Sequence, residues 1–226
     1  NATMKYLILL LMCAGIAQAQ PKPEIFTLSG PATFLMWNTQ SAQTKNAKWT
    51  LDEKTSTLRW MGKPIVGSGH EGTIQFLSGA VTISSVGLPV QGEVVMNMNT
   101  IKATDLKEES SAQDLENHLK DDDFFSVTKY PHASLSILKV TPEALGGTEK
   151  KARITAQLTI KGISNRVVFL ATLSNDKDGI RIRADLTIDR TKWGINYQSK
   201  SIFLNMKDNI ISDDVQISVD LNFVGC

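Results

Sequence analysis

The chain has 226 residues, of which 42% are apolar and 21% charged, with a formal net charge of +1. That composition supports one folded domain with a closed core, and it excludes both disorder and a multi-pass membrane protein. It also lacks the basic excess of a nucleic-acid surface: residues 1–19 carry only Lys5, so beyond them 23 basic residues face 23 acidic ones.

The first predicted element is a targeting segment. Lys5 precedes the apolar run Tyr6–Ile16, and Ala17-Gln18-Ala19 forms a small-residue cleavage site before Gln20-Pro21. This predicts a secretory signal peptide over 1–19, too short to span a bilayer, and hence a periplasmic or secreted protein with no integral membrane span. Asn1-Ala2-Thr3 precede Met4 and lie outside the predicted fold. Cys13 follows Leu11-Met12 rather than small residues, so it reads as part of the apolar run and not as a lipidation site. Cys226 is then the single cysteine of the mature chain and forms no internal disulfide. Residues 20–47 contain Pro21, Pro23, Gly30 and Pro31 and read as a leader, with Phe34–Trp37 as a short packed segment. The folded domain is assigned to 48–226.

From Trp49 to Phe223 the pattern is mostly that of strands. Apolar and polar residues alternate strictly in Ile180–Asp189 and again in Val215–Phe223. Successive side chains of a strand point to opposite faces, so each segment has one apolar and one wet face. The same test predicts strands at 56–61, 72–77, 79–84, 91–100, 132–140, 152–161 and 165–174. One-sided strands of this kind belong to antiparallel sheets. Asp105 to Lys120 breaks the pattern and predicts a helix with Leu115 and Leu119 on a narrow apolar edge, suited to a lid or plug. The fold class is therefore all-β, either a closed barrel of about eight strands capped at one end by the helix, or a sandwich. Alternation alone leaves both open.

At this point the residues resemble a known family, the YceI-like proteins. The likeness runs from about Lys48 to Leu221. It begins with Trp49-Thr50-Leu51-Asp52, Ser56-Thr57-Leu58-Arg59-Trp60, Gly67-Ser68-Gly69-His70-Glu71-Gly72-Thr73-Ile74 and Ser78-Gly79. Its most specific part is His118-Leu119-Lys120-Asp121-Asp122-Asp123-Phe124-Phe125, followed by Lys129-Tyr130-Pro131. It ends with Leu158-Thr159-Ile160-Lys161-Gly162-Ile163, Asp189-Arg190-Thr191-Lys192-Trp193-Gly194-Ile195 and Ile210-Ile211-Ser212-Asp213-Asp214-Val215. Two departures stand out: Gly69 is inserted within the usual Gly-Ser-His-Glu-Gly, and Ala156 replaces a frequent glycine. The resemblance implies a lipocalin-like antiparallel barrel around an extended apolar ligand such as a polyisoprenoid, an isoprenoid quinone or a fatty-acid-like molecule. It implies no catalytic residues.

Burial of apolar area would hold such a ligand, and a few polar groups near the mouth would select its head. The expected contacts along the barrel are Trp60, Phe76, Met96, Met98, Phe169, Leu186, Ile188, Ile217 and Leu221. Leu115, Leu119, Phe124 and Phe125 are expected to line or close one end. Trp193 reads equally as a mouth residue or a packing anchor. His70 and Arg190 are the candidate headgroup contacts, although an inter-strand ion pair suits Arg190 as well. Every one of these side chains also suits a plain core.

The three histidines, His70, His118 and His132, have no metal-ligand spacing, so no metal and no cofactor is expected. Asp121-Asp122-Asp123 lacks the spaced oxygens of a calcium loop and reads as a solvated turn. There is no nucleophile elbow and no phosphate-cradling glycine loop. The leading expectation is a non-enzymatic carrier or reservoir of an apolar molecule, with a homodimer left open. Its rivals are an enzyme acting through His70 or Glu71 and a dry barrel used for protein contacts.

Overall fold

The computed structural model describes residues 46–64, 68–175, 179–199 and 210–225. The predicted signal peptide, the leader up to residue 45, Cys13 and Cys226 lie outside them. The strands are β1 (Ala47–Leu51), β2 (Thr57–Pro64), β3 (His70–Ile83), β4 (Pro89–Ala103), β5 (His132–Ala144), β6 (Glu149–Ile160), β7 (Ile163–Asn175), β8 (Ile180–Asp189) and β9 (Ile211–Gly225). One α-helix, α1 (Glu109–Lys120), follows β4, and a 3-10 turn at Arg190–Trp193 follows β8.

Each of β2 to β8 pairs antiparallel with its successor in the chain, and β9 returns to pair with β2. The sheet thus closes into a barrel of eight strands, which decides against the sandwich. Closure satisfies the edges that an open sheet would expose. β1 stands outside this ring, pairing with β3 and β9 at the end that β2 does not reach. Asp52 starts the turn between β1 and β2: its carboxylate accepts from Lys54 N at 3.0 Å and Thr55 Oγ1 at 2.9 Å. Asn222 N on β9 then donates to Ser56 Oγ at 2.9 Å, so a side chain replaces a ladder partner at the break.

Three features depart most from the sequence reading. The expected strands 72–77 and 79–84 are one strand, β3. Its register against β4 shifts between Phe76 and Ser78. Before the shift Gly72, Ile74 and Phe76 are buried, and after it Val81 and Ile83 are. A bulge exchanges the inward phase from even to odd positions, and a period-2 test reads that exchange as a strand end. β1 is absent from the expected strands because its five residues are too short for an alternation test. Finally, α1 starts at Glu109 rather than Asp105, because the Asp105 carboxylate is engaged with β3.

The β6–β7 hairpin turns on Lys161 and Gly162, both with positive φ (53° and 73°). A two-residue loop of this kind matches the twist of the strands it joins. At the β1 end of the barrel, Leu51, Val81, Ile83, Leu88, Ile180 and Phe223 are all buried and close the interior.

Candidate functional site

Inward-facing strand residues supply the wall of the barrel, but they do not fill it. At the α1 end lies a cavity of about 180 Å³, and beyond it toward the β1 end a second of about 90 Å³. Both are bounded almost wholly by carbon. Leu58, Met96, Leu158 and Ile217 border the two chambers at once and form a waist between them. An engineered apolar cavity of about 150 Å³ stays dry and accepts a small hydrocarbon, so the larger chamber has room for part of an apolar molecule.

All the expected contacts border this space. Trp60, Met98, Leu115, Leu119, Phe124, Phe125, Ile188 and Trp193 line the first chamber, together with His70 and Arg190. Phe76, Phe169, Leu186 and Leu221 line the second, and Met96 and Ile217 line both. The selection missed the small residues Ala133 in the first chamber and Ala80, Gly92 and Ala184 in the second. Ala133 and Ala184 fall on inward faces that alternation identifies. Their contribution is space, and a selection that favours large side chains overlooks it. Ile101 and Ile195 also border the first chamber, from a strand end and a loop where alternation carries no signal.

The first chamber is closed by α1 and the turn after it. Leu119 is buried, Leu115 partly so, and Phe124 and Phe125 point in from the turn. That turn is held by its backbone: Phe125 N donates to Leu119 O at 3.1 Å and Val127 N to Lys120 O at 2.9 Å. Asp121, Asp122 and Asp123 face solvent, as expected of a solvated turn. Glu116, which the polar reading of the helix left outside, is buried and accepts from Ala103 N at 3.2 Å. This bond ties the helix to the last residue of β4. His118 makes edge-on contacts with Phe124 and Tyr197, with centroids 5.0 Å and 4.7 Å apart, and so fastens the helix end to the segment following the 3-10 turn.

The motif from Asp189 to Ile195 forms the capped 3-10 turn after β8. Asp189 caps the 3-10 turn by accepting from Thr191 N at 3.0 Å, and Gly194 ends it at φ 70°. Between them Arg190 and Trp193 turn inward. Trp193 is 1% exposed, and its indole Nε1 donates to Leu158 O at 3.1 Å. Trp193 is thus both packed into the protein and on the border of the first chamber. Arg190 is also buried. Its Nε donates to Ser212 O, Nη1 to Ile195 O and Nη2 to Ile211 O, with Asp213 at 3.5 Å. Burial lowers its guanidinium pKa, against the opposing pull of Asp213 and Asp189. All three nitrogens are occupied by the protein. Trp60 carries the opposite feature: its buried Nε1 has no hydrogen-bond partner among the described residues.

His70 opens β3 at the rim of the first chamber, half exposed, with Nδ1 2.9 Å from Asp105 Oδ2. Glu71, one residue on, is exposed on the outer face. Partial burial raises the Asp105 pKa, but the His70 hydrogen bond and the Glu71 N–H outweigh it and hold the carboxyl below its ordinary value. A depressed carboxyl stabilises the fold above its unfolded pKa of about 3.9, and that contribution fades as pH falls through the lower folded value. Asp105→Asn is therefore expected to lower stability at pH 6. The wild-type and variant curves should converge in urea melts as pH falls through the folded carboxyl's lowered pKa. Parallel curves at all pH values would show that the pair contributes nothing through ionisation. Among the described residues, no group of three or more His, Cys, Asp and Glu side chains is placed to hold a metal, and no helix is long and apolar enough to cross a membrane.

Residues 49–223 match the family of the YceI-like domain. The UPF0312 protein SAB2563 of Staphylococcus aureus (strain bovine RF122 / ET3-1) is 30% identical over 162 residues, which cover 66% of this chain and 82% of that protein. Among solved structures, BcnA of Burkholderia cenocepacia superposes with a TM-score of 0.61 at 21% identity, covering 76% of this chain and 98% of that one. A polyisoprenoid binding domain from Saccharophagus degradans, implicated in plant cell wall breakdown, gives 0.55 at 17% identity over 80% and 100%. At these identities the two structures share the fold.

Proposed function

The chain belongs to the YceI-like family, and from that premise we propose that it is an exported binding protein that holds a long apolar molecule, an isoprenoid or another lipid-like chain, inside its barrel. The observation that carries this reading is the pair of carbon-lined chambers in an otherwise closed wall. A solid interior would favour the dry-barrel reading, and the interior is not solid. The polyisoprenoid binding domain among the structural neighbours supports the same class of cargo. The expected contact residues touch this cargo, and its polar end lies at the rim beside His70 and Lys63. The arginine at 190 anchors the wall there and does not grip a headgroup. Export through the segment 1–19 is part of the same proposal. Of the two residues the enzyme reading would use, Glu71 faces away from the chambers, and His70, at the rim, has its Nδ1 engaged with Asp105.

The test is native mass spectrometry of the full chain purified from cells, followed by organic extraction. We expect near-stoichiometric release of one apolar compound class and a mature chain beginning at Gln20. Protein that carries nothing, and that takes up no saturable amount of an added long-chain probe, would overturn the binding proposal.

A further inference from the structure

This inference rests on the binding reading above and adds an orientation and a length rule to it. We propose that the two chambers act in series on one unbranched or thinly branched tail, and that the second chamber measures its length.

Three observations lead there. First, the chambers follow one another along the barrel and meet only at the waist of Leu58, Met96, Leu158 and Ile217. A single hydrocarbon tail can pass a waist bordered by four side chains, one of them a flexible methionine. Second, the polar groups are distributed unequally. Lys63 and His70 border the first chamber at its rim. Among the described residues, the second chamber's only charged neighbour is Glu93, which lies on the exposed face of β4 and accepts from Ser136 Oγ at 3.1 Å. A molecule with one polar end therefore enters tail first, with its head at the α1 end. Third, the space of the second chamber comes from the small residues Ala80, Gly92 and Ala184, and buried Val81 and Phe223 border its far side. The tail has a fixed floor.

Affinity should then rise by roughly fourfold per added methylene while the tail fills the first chamber and then the second, and should stop rising when the tail reaches the floor. The experiment uses the full chain with saturated fatty acids from C8 to C22 as probes. Calorimetry reads affinity, and methyl NMR reads position. Ile74, Ile101 and Ile188 report the first chamber, and Ile154 and Ile182 the second. Short acids should move the first set alone, and long acids both. Ala184→Leu, which narrows the second chamber, should bind short acids as the wild type does and lose tenfold or more for long ones.

If long acids bind saturably but never move Ile154 or Ile182, or if Ala184→Leu follows the wild type at every length, the length rule is wrong and the binding reading stands. If no acid of any length binds the wild type saturably, the length rule falls, and the binding reading falls with it where extraction also releases no cargo. The NMR arm needs no variant, so a folding defect in Ala184→Leu leaves the test intact.

Discussion

Trp193→Ala should lower the unfolding free energy by about 3–5 kcal/mol, the largest loss expected from any single truncation in this barrel. Trp193 is 1% exposed and sits where the chain leaves β8, so its removal opens a hole that the fixed 3-10 turn cannot collapse into. The change also removes the indole N–H bond to Leu158 O, a net loss of about 0.5–1.5 kcal/mol, while Leu158 stays paired with Asn165 in the β6–β7 ladder. Trp193→Phe separates the two effects, since it keeps most of the packing and loses only the hydrogen bond. Urea melts should rank the wild type first, then the phenylalanine variant, then the alanine variant. Equal midpoints for wild type and phenylalanine would mean that the bond to Leu158 contributes nothing. A loss under about 1 kcal/mol for alanine would remove the anchor role altogether.

What could be read in advance follows from what each signal measures. Alternation reports which face of a strand is wet, so it placed Ile154, Leu158, Ile182 and Ile188 on the inner wall, where they are buried. It is blind to changes of phase. The bulge after Phe76 therefore split β3 in two, although Ile74 and Val81 line the same barrel. It is equally blind to a carboxylate that turns inward for a single backbone partner, as Glu116 does toward Ala103 N. The choice between barrel and sandwich was beyond it, because that choice rests on β9 returning to β2, a pairing between segments more than 140 positions apart in sequence. Long-range register of this kind leaves no local trace. The resemblance supplied the architecture that periodicity lacked.

The chambers were the least legible feature, because they exist where side chains are missing. Large apolar residues were chosen as contacts, and they do border the space, but Ala133 and Ala184 make it. A cavity wall and a filled core have the same apolar alternation, and only the summed volumes across the barrel distinguish them. In the Asp189–Ile195 segment, Arg190 and Trp193 both bond to the protein's own carbonyls and both border the first chamber.

The same reasoning gives the second large effect, in which binding and stability move apart. Ala133 lies opposite Met96 on the neighbouring strand, is 3% exposed and borders the first chamber. Ala133→Phe places a ring in space now bounded by carbon. New van der Waals contacts should leave stability unchanged or raise it by about 0.5–2 kcal/mol, as cavity filling commonly does. Cargo recovered by extraction, or the affinity for a long-chain probe, should fall by at least tenfold. Ser134→Phe, one position along and on the outer face, adds the same ring without entering the barrel and should keep both properties near wild type. The joint outcome is what discriminates. Destabilisation with lost cargo would mark ordinary core disruption, and Ala133→Leu then serves as the milder filling. A stable Ala133→Phe that still releases cargo at the wild-type ratio would place the cargo somewhere other than the chamber beneath α1. The interior would then be a packing flaw rather than a site, because a ring and a hydrocarbon tail cannot occupy the same 180 Å³.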